Sequence, residues 1–198
     1  MKFANTLRAL TAAIAFATAA QAGAAPILLV DSKGILTGAT GVDVGGTLYN
    51  VTFAEGSCIS LFNGCVQSAF SFNNRADALV AVNALFDQVL VDTLAGKFDS
   101  QPNKIFGCTS ATICVTGVPF GLLSGSRGVN ALSASNGQST DSVGAFVPPV
   151  TFDSSTRPTN NFALFQLAPE SANVPEPASI ALFGVAIAGL ALSRRRKK

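Results

Sequence analysis

Residues 41–53 read GVDVGGTLYNVTF, and the glycine pair in the middle decides how the chain around it is read. Tyr49, Val51 and Phe53 alternate with Leu48, Asn50 and Thr52, the period of two that marks a strand with one buried face. Val42 and Val44 alternate in the same way before Gly45 and Gly46. Two glycines between alternating runs signal a tight hairpin, because glycine reaches the positive φ of such a turn without steric cost. The expectation is a β-hairpin with Tyr49, Val51 and Phe53 toward the core. Upstream, Ile35 and Leu36 lead into it through glycine-rich turns.

Downstream the period changes. The stretch NRADALVAVNALFDQVLVDTLAGK, from Asn74 onward, places Leu79, Val82, Phe86, Val89 and Leu90 at three- and four-residue spacing. This predicts a long amphipathic helix, capped by Asn74, with Asp77 at the positive end of the dipole and a stop at Gly96-Lys97. Beyond it, residues 113–118, 145–147, 150–152 and 162–167 read as short strands between Gly, Ser, Asn and Pro clusters. Pro148-Pro149 breaks one strand from the next or sets an edge. Residues 124–142, SGSRGVNALSASNGQSTDS, are small and polar and read as a mobile loop, in which only VNAL could pair with a neighbour. The expected fold class is α+β: an antiparallel β-sheet with hairpins, packed against one long amphipathic helix.

The ends of the chain read as addresses. Lys2 and Arg8 precede an apolar stretch up to about Ala20, and Ala20-Gln21-Ala22 is a small-x-small site. That order is a secretory signal peptide, residues 1–22, with cleavage after Ala22 and cuts after Ala24 or Ala25 also compatible. At the other end, Val174-Pro175-Glu176-Pro177 precedes an uncharged apolar run over residues 178–192, closed by Arg194, Arg195, Arg196, Lys197 and Lys198. A helix of about 15 residues rises about 22 Å, short of the roughly 30 Å of a hydrocarbon core. Such a short transmembrane helix suits a transient inner-membrane stage, with the basic block kept inside as a stop-transfer tail. The domain expectation is then an exported domain over residues 23–167, a linker over 168–173 and a sorting signal over 174–198.

That tail, with its Pro-Glu-Pro motif, apolar helix and Arg-rich terminus, resembles the PEP-CTERM sorting domain of exported proteins in Gram-negative bacteria. The resemblance implies recognition by an exosortase, removal of the tail near the motif, and delivery to the cell surface or an extracellular polysaccharide matrix. The two prolines agree with it physically, holding Glu176 in an extended segment that a helix cannot absorb. A simple anchor, retained intact, buries the same apolar run. A looser resemblance joins GVDVGGTLYNVTF with Gly56-Ser57-Cys58, Leu61-Phe62, Cys65 and the Ala-rich helix. This run is similar to a recurrent block in other PEP-CTERM exoproteins, and it implies a disulfide-closed hairpin packed on the helix.

Removing both ends leaves about 150 residues, one domain's worth. Of the 13 basic and 11 acidic residues, 6 and 10 lie between the ends, so the net charge changes from +2 to −4. Nucleic-acid binding, which needs a positive surface, is not expected. Cys58, Cys65, Cys108 and Cys114 all fall in the exported part and read as two disulfides. Three connectivities are open; local pairing, Cys58 with Cys65 and Cys108 with Cys114, is preferred because each pair closes a short loop. The spacings do not match zinc motifs, and no histidine is present to complete a mixed site.

The lack of histidine also removes the usual base for a Ser or Cys nucleophile. Ser124, in GLLSG, lacks the nucleophile-elbow spacing and reads as a loop residue. A carboxylate pair needs no histidine, and the candidates are Asp31, Asp43, Glu55, Asp77, Asp87, Asp92, Asp99, Asp141, Asp153 and Glu170. None sits in a distinctive motif, and the absence of Trp and the single Tyr argue against a sugar-stacking cleft. No calcium loop or phosphate-cradling glycine loop is present. No catalytic residue, metal or cofactor is therefore expected. The functional expectation is an exported structural or adhesive protein of the surface or extracellular matrix, in contact with polysaccharide. The alternatives are an exported glycan hydrolase using two carboxylates and a membrane-anchored periplasmic binding module.

Overall fold

A computed structural model of the chain, which describes residues 25–125 and 127–169, builds the hairpin around the glycine pair. Gly45 and Gly46 take φ of 61° and 89°, and Val44 pairs with Thr47 across them. Two positive φ values in a two-residue loop match the right-handed twist of the strands on either side. These are β2 (Leu36–Val44) and β3 (Thr47–Ala54). Val51 and Phe53 are buried, while Tyr49 is partly buried against Phe72 and Phe165. The residues before the hairpin are strand rather than turn: β1 (Ile27–Val30) pairs with β2, which carries a register shift between Ala39 and Val42.

The helix α2 (Arg75–Gln88) follows the short α1 (Cys58–Leu61). Asn74 caps α2 as expected, its side-chain oxygen accepting from the Asp77 N–H at 2.9 Å. The far end differs from expectation. The helix stops at Gln88, and the run Val89-Leu90-Val91-Asp92-Thr93 leaves it, with Val89 and Leu90 buried in the core. β-branched residues favour that departure. Gly96-Lys97, expected as the stop, forms β5 (Gly96–Lys97), which pairs with β4 (Asp92–Thr93) in a separate two-stranded hairpin. The buried stripe also differs, running through Ala78, Ala81, Val82, Ala84 and Leu85, with Leu79 and Phe86 only partly buried. Small residues on the stripe bring the helix close to β2 and to the strands over Ile113–Leu122 and Val129–Gly137.

The remaining strands are β6 (Ile113–Leu122), β7 (Val129–Gly137), β8 (Ser142–Phe146) and β9 (Asn160–Leu167). The seven-stranded order is β1-β2-β3-β9-β6-β7-β8. The sheet is mixed, not antiparallel. Two meanders, β1 to β3 and β6 to β8, are joined by the last strand, which runs antiparallel to β3 and parallel to β6. The loop expected over residues 124–142 is largely β7, which lies between β6 and β8. Its small residues fit that place: Gly117, Ser133 and Gly144 sit side by side on three strands. The Phe146 and Phe162 rings close over Gly117, where an added Cβ would lie 3.0 Å from each. Residues 150–152 form a turn rather than a strand, the Phe152 N–H bonding to the Pro149 carbonyl.

The sheet carries a core on each face. One lies under α2 and includes Leu36, Val51, Phe53, Leu85, Leu132 and Phe165. The other joins Phe162, Val129 and Ala131 to Phe62 and Phe70, whose rings meet edge-to-face at 5.3 Å. Cys58 and Cys65 belong to this second core. The expected disulfide-closed hairpin packed on the helix is thus divided: the hairpin faces the helix, and the disulfide closes its own loop on the opposite face.

Candidate functional site

Both disulfides are local. Cys58 and Cys65 are bonded at 1.98 Å, and Cys108 and Cys114 at 2.04 Å. The first closes a loop in which Asn63 and Cys65 take φ of 46° and 64°. The Ser57 and Ser60 side chains of that segment cap each other's backbone N–H groups at the start of α1. The second bridge ties the start of β6 to the crossover segment preceding it. Two asparagines hold the same segment: Asn136 of β7 donates to the Phe98 carbonyl at 2.7 Å, and Asn161 of β9 donates to the Phe106 carbonyl. Sequence reasoning missed both asparagines, because a buried amide that clamps a remote carbonyl leaves no local pattern.

Most candidate carboxylates build turns. Asp31 accepts from the Lys33 and Ile35 N–H groups, Asp43 from Gly46, Asp141 from Gly137 and Asp153 from Ser155. Asp77 accepts from the Asn74 side-chain amide. Asp92 takes three donors, the Asp99 and Ser100 N–H groups and the Ser100 hydroxyl. Such donors favour the ionised form. The Ile35 N–H holds Asp31 below the usual carboxylate range, the Ser100 hydroxyl does so for Asp92, and the Ser155 hydroxyl for Asp153.

Asp99 moves the other way. Loss of water around its carboxylate raises it first, then the nearby charges of Asp141 and Asp92, and a hydrogen bond with Asp141. Asp92, Asp99 and Asp141 therefore form one acidic group at the β4–β5 hairpin and the end of β7. Their oxygens are engaged by neighbouring backbone, by the Ser100 hydroxyl or by one another, and no set of three metal-ligating side chains suited to a cation occurs among the described residues.

Two grooves bring other acids to the surface. One, of about 630 Å³, is bounded by Pro26, Leu28, Leu48 and Val91 and carries both Asp43 and Asp87 on its walls. Gln88 fixes that wall, its side-chain amide exchanging two hydrogen bonds with the Asp43 backbone at 2.9 and 2.8 Å. The second, of about 380 Å³, is lined by Glu55, Asn103, Phe106 and Thr109. Ser124 lies in an exposed turn.

The expected cleavage residues Ala20 and Ala22 lie outside the described residues. So do Glu170, the sorting motif Val174, Pro175, Glu176 and Pro177, and the basic tail Arg194 to Lys198. Among the described residues no helix is long and apolar enough to cross a membrane. A family model described as the PEP-CTERM protein-sorting motif matches residues 173–197. No curated protein and no solved structure matches the chain.

Proposed function

We infer, from the premise that the chain carries a PEP-CTERM sorting motif and is an exported substrate of an exosortase-type enzyme, that its folded part is a non-catalytic structural or adhesive component of the cell surface or extracellular matrix. The match at residues 173–197 is the observation that carries the reading. The folded part supports it. Two short disulfides tie loops on both faces of a seven-stranded sheet, and bridges of this kind persist in oxidising compartments. Six of the candidate carboxylates are engaged in local turns and caps.

The test is the intact mass of the protein recovered from the surface or matrix and from membranes, with and without reduction. A chain beginning near Gly23, ending near Pro177 and gaining four hydrogens on reduction is the expected result. Retention of Arg194 to Lys198 in a membrane-bound form overturns matrix delivery and leaves the anchored binding module.

The hydrolase reading is favoured by one observation, the presence of Asp43 and Asp87 on the walls of one groove. Paired acids across a cleft are the requirement for glycoside cleavage. Loss of a measurable glycan-cleaving activity in both Asp43→Asn and Asp87→Asn would establish it; absence of such activity in the wild-type protein removes it.

A further inference from the structure

The groove beside Phe106 has a fixed floor and polar walls. The Phe106 N–H bonds to the Leu36 carbonyl at 2.9 Å, and the Phe106 carbonyl accepts from Asn161. One residue away, Gly107 takes a φ of 83°, and Cys108 is bonded to Cys114. The backbone under the ring is thus held from both sides, and Phe106 is 38% exposed. Around it stand the Glu55 carboxylate, the Asn103 amide and the Thr109 hydroxyl. Glu55 leans over Gly107 so closely that a Cβ there would lie 2.7 Å from its Cγ.

An apolar ring face beside an acceptor, a donor-acceptor amide and a hydroxyl suits a ligand with a C–H face and a rim of hydroxyl groups. The volume, about 380 Å³, falls within the roughly 300–1,000 Å³ range of small-molecule sites. The geometry points to a subsite for one sugar unit of a neutral extracellular glycan, with Phe106 under the C–H face and Glu55 and Asn103 on neighbouring hydroxyls. This rests on the matrix reading above and names its contact point.

The carboxylate sets the specificity. Glu55 disfavours a uronate at this position, and the net charge of −4 between the two ends adds to that repulsion. Composition concealed the site, because Trp and Tyr are the residues weighed for stacking, whereas the exposed ring is one of fifteen phenylalanines. One phenyl ring and a few hydrogen bonds give a dissociation constant on the order of millimolar per unit. Retention on a polymer then comes from repeated engagement.

The experiment is an amide-shift NMR titration of the processed protein with neutral glucose, galactose and mannose oligomers, an oligogalacturonate, and the cell's own extracellular polysaccharide. Saturable shifts at Phe106, Gly107 and Thr109 with a neutral glycan are expected, with at least tenfold weaker binding in Phe106→Ala and several-fold weaker binding in the surface variant Asn103→Ala. Absence of shifts at these residues with every probe overturns the proposal, as does binding that both variants leave unchanged. The second result leaves matrix delivery standing, whereas a protein found only in membranes sinks that delivery and leaves the titration to judge the groove alone.

Discussion

Asn136 donates its side-chain amide to the Phe98 carbonyl at 2.7 Å, 38 positions away in sequence, with both residues fully buried. A strand of the sheet thereby holds the crossover segment beneath it. Asn136→Ala removes the donor and leaves the Phe98 carbonyl without it, so a loss of about 1–3 kcal/mol is expected. Urea unfolding measures this directly, and a midpoint equal to that of the parent would show that the bond contributes nothing.

Thr116 offers the opposite case. Its hydroxyl is buried with no partner, as is the side-chain oxygen of Asn161, which sits beside it on the neighbouring parallel strand. Thr116→Val keeps the shape and removes the unpaired group, so stability is expected to stay level or rise by up to about 1 kcal/mol. A clear loss would instead reveal an ordered water bridging the two oxygens.

Gly107 and Gly34 have similar backbones, with φ of 83° and 76°, but different surroundings. A Cβ on Gly107 meets Glu55 Cγ at 2.7 Å and Asn161 Cβ at 2.9 Å, whereas one on Gly34 meets nothing within 4 Å. Gly34→Ala should cost about 1–2 kcal/mol from the backbone alone. Gly107→Ala should cost at least about 1 kcal/mol more, because the Asn161 stem cannot swing away. Paired thermal melts isolate the crowding, and equal shifts in melting temperature would refute it.

Each disulfide closes a loop with a sequence separation of 7 or 6, for which chain entropy gives about 2–3 kcal/mol of stabilisation. Replacing Cys58 and Cys65 by Ala and, separately, Cys108 and Cys114 by Ala should each lower the unfolding free energy by that amount. The second pair has an added consequence, since the bridge helps fix the backbone under Phe106. Hydrogen exchange at the Phe106 N–H, which bonds to the Leu36 carbonyl, should quicken in that variant only, and protection unchanged there would separate the bridge from the groove.

The carboxylates make stability depend on pH in two opposing ways. Asp31, Asp92 and Asp153 are lowered on folding, so their contribution is present at neutral pH and is lost as acid protonates them. Asp99 is raised by partial desolvation and by Asp141 and Asp92, so its contribution is full below about pH 4 and lost as pH rises. Asp99→Asn should therefore raise the melting temperature at pH 7, with the gain fading near pH 3. A gain of the same size at both values would trace the effect to something other than charge.

The hairpin was legible because Gly45-Gly46 and the alternation of Tyr49, Val51 and Phe53 are local signals that agree with the tertiary contacts. The start of α2 was legible for the same reason, through Asn74. Its end was not, since Val89 and Leu90 continue the helical spacing while being buried from a non-helical segment. β7 was hidden by composition: Ala131 and Ser133 look like loop residues, yet small side chains are what a strand needs on the face of the Phe146 and Phe162 rings. The parallel pairing of β9 with β6 depends on a strand arriving from the far end of the domain, which no short-range pattern reports. The sorting tail was the most legible part of all, as its three segments follow one another in sequence.

The position of β9 has a consequence in time. Residues 160–167 are the last of the described sheet to be made, yet they lie between β3 and β6 and, among the described residues, link the two meanders within the sheet. A chain delivered N-terminus first thus emerges as two three-stranded pieces that share the helix α2 but no strand-to-strand hydrogen bonds. Its sheet becomes whole only when the final strand slots between them, so completion of the fold waits for residues only a short linker ahead of the sorting segment.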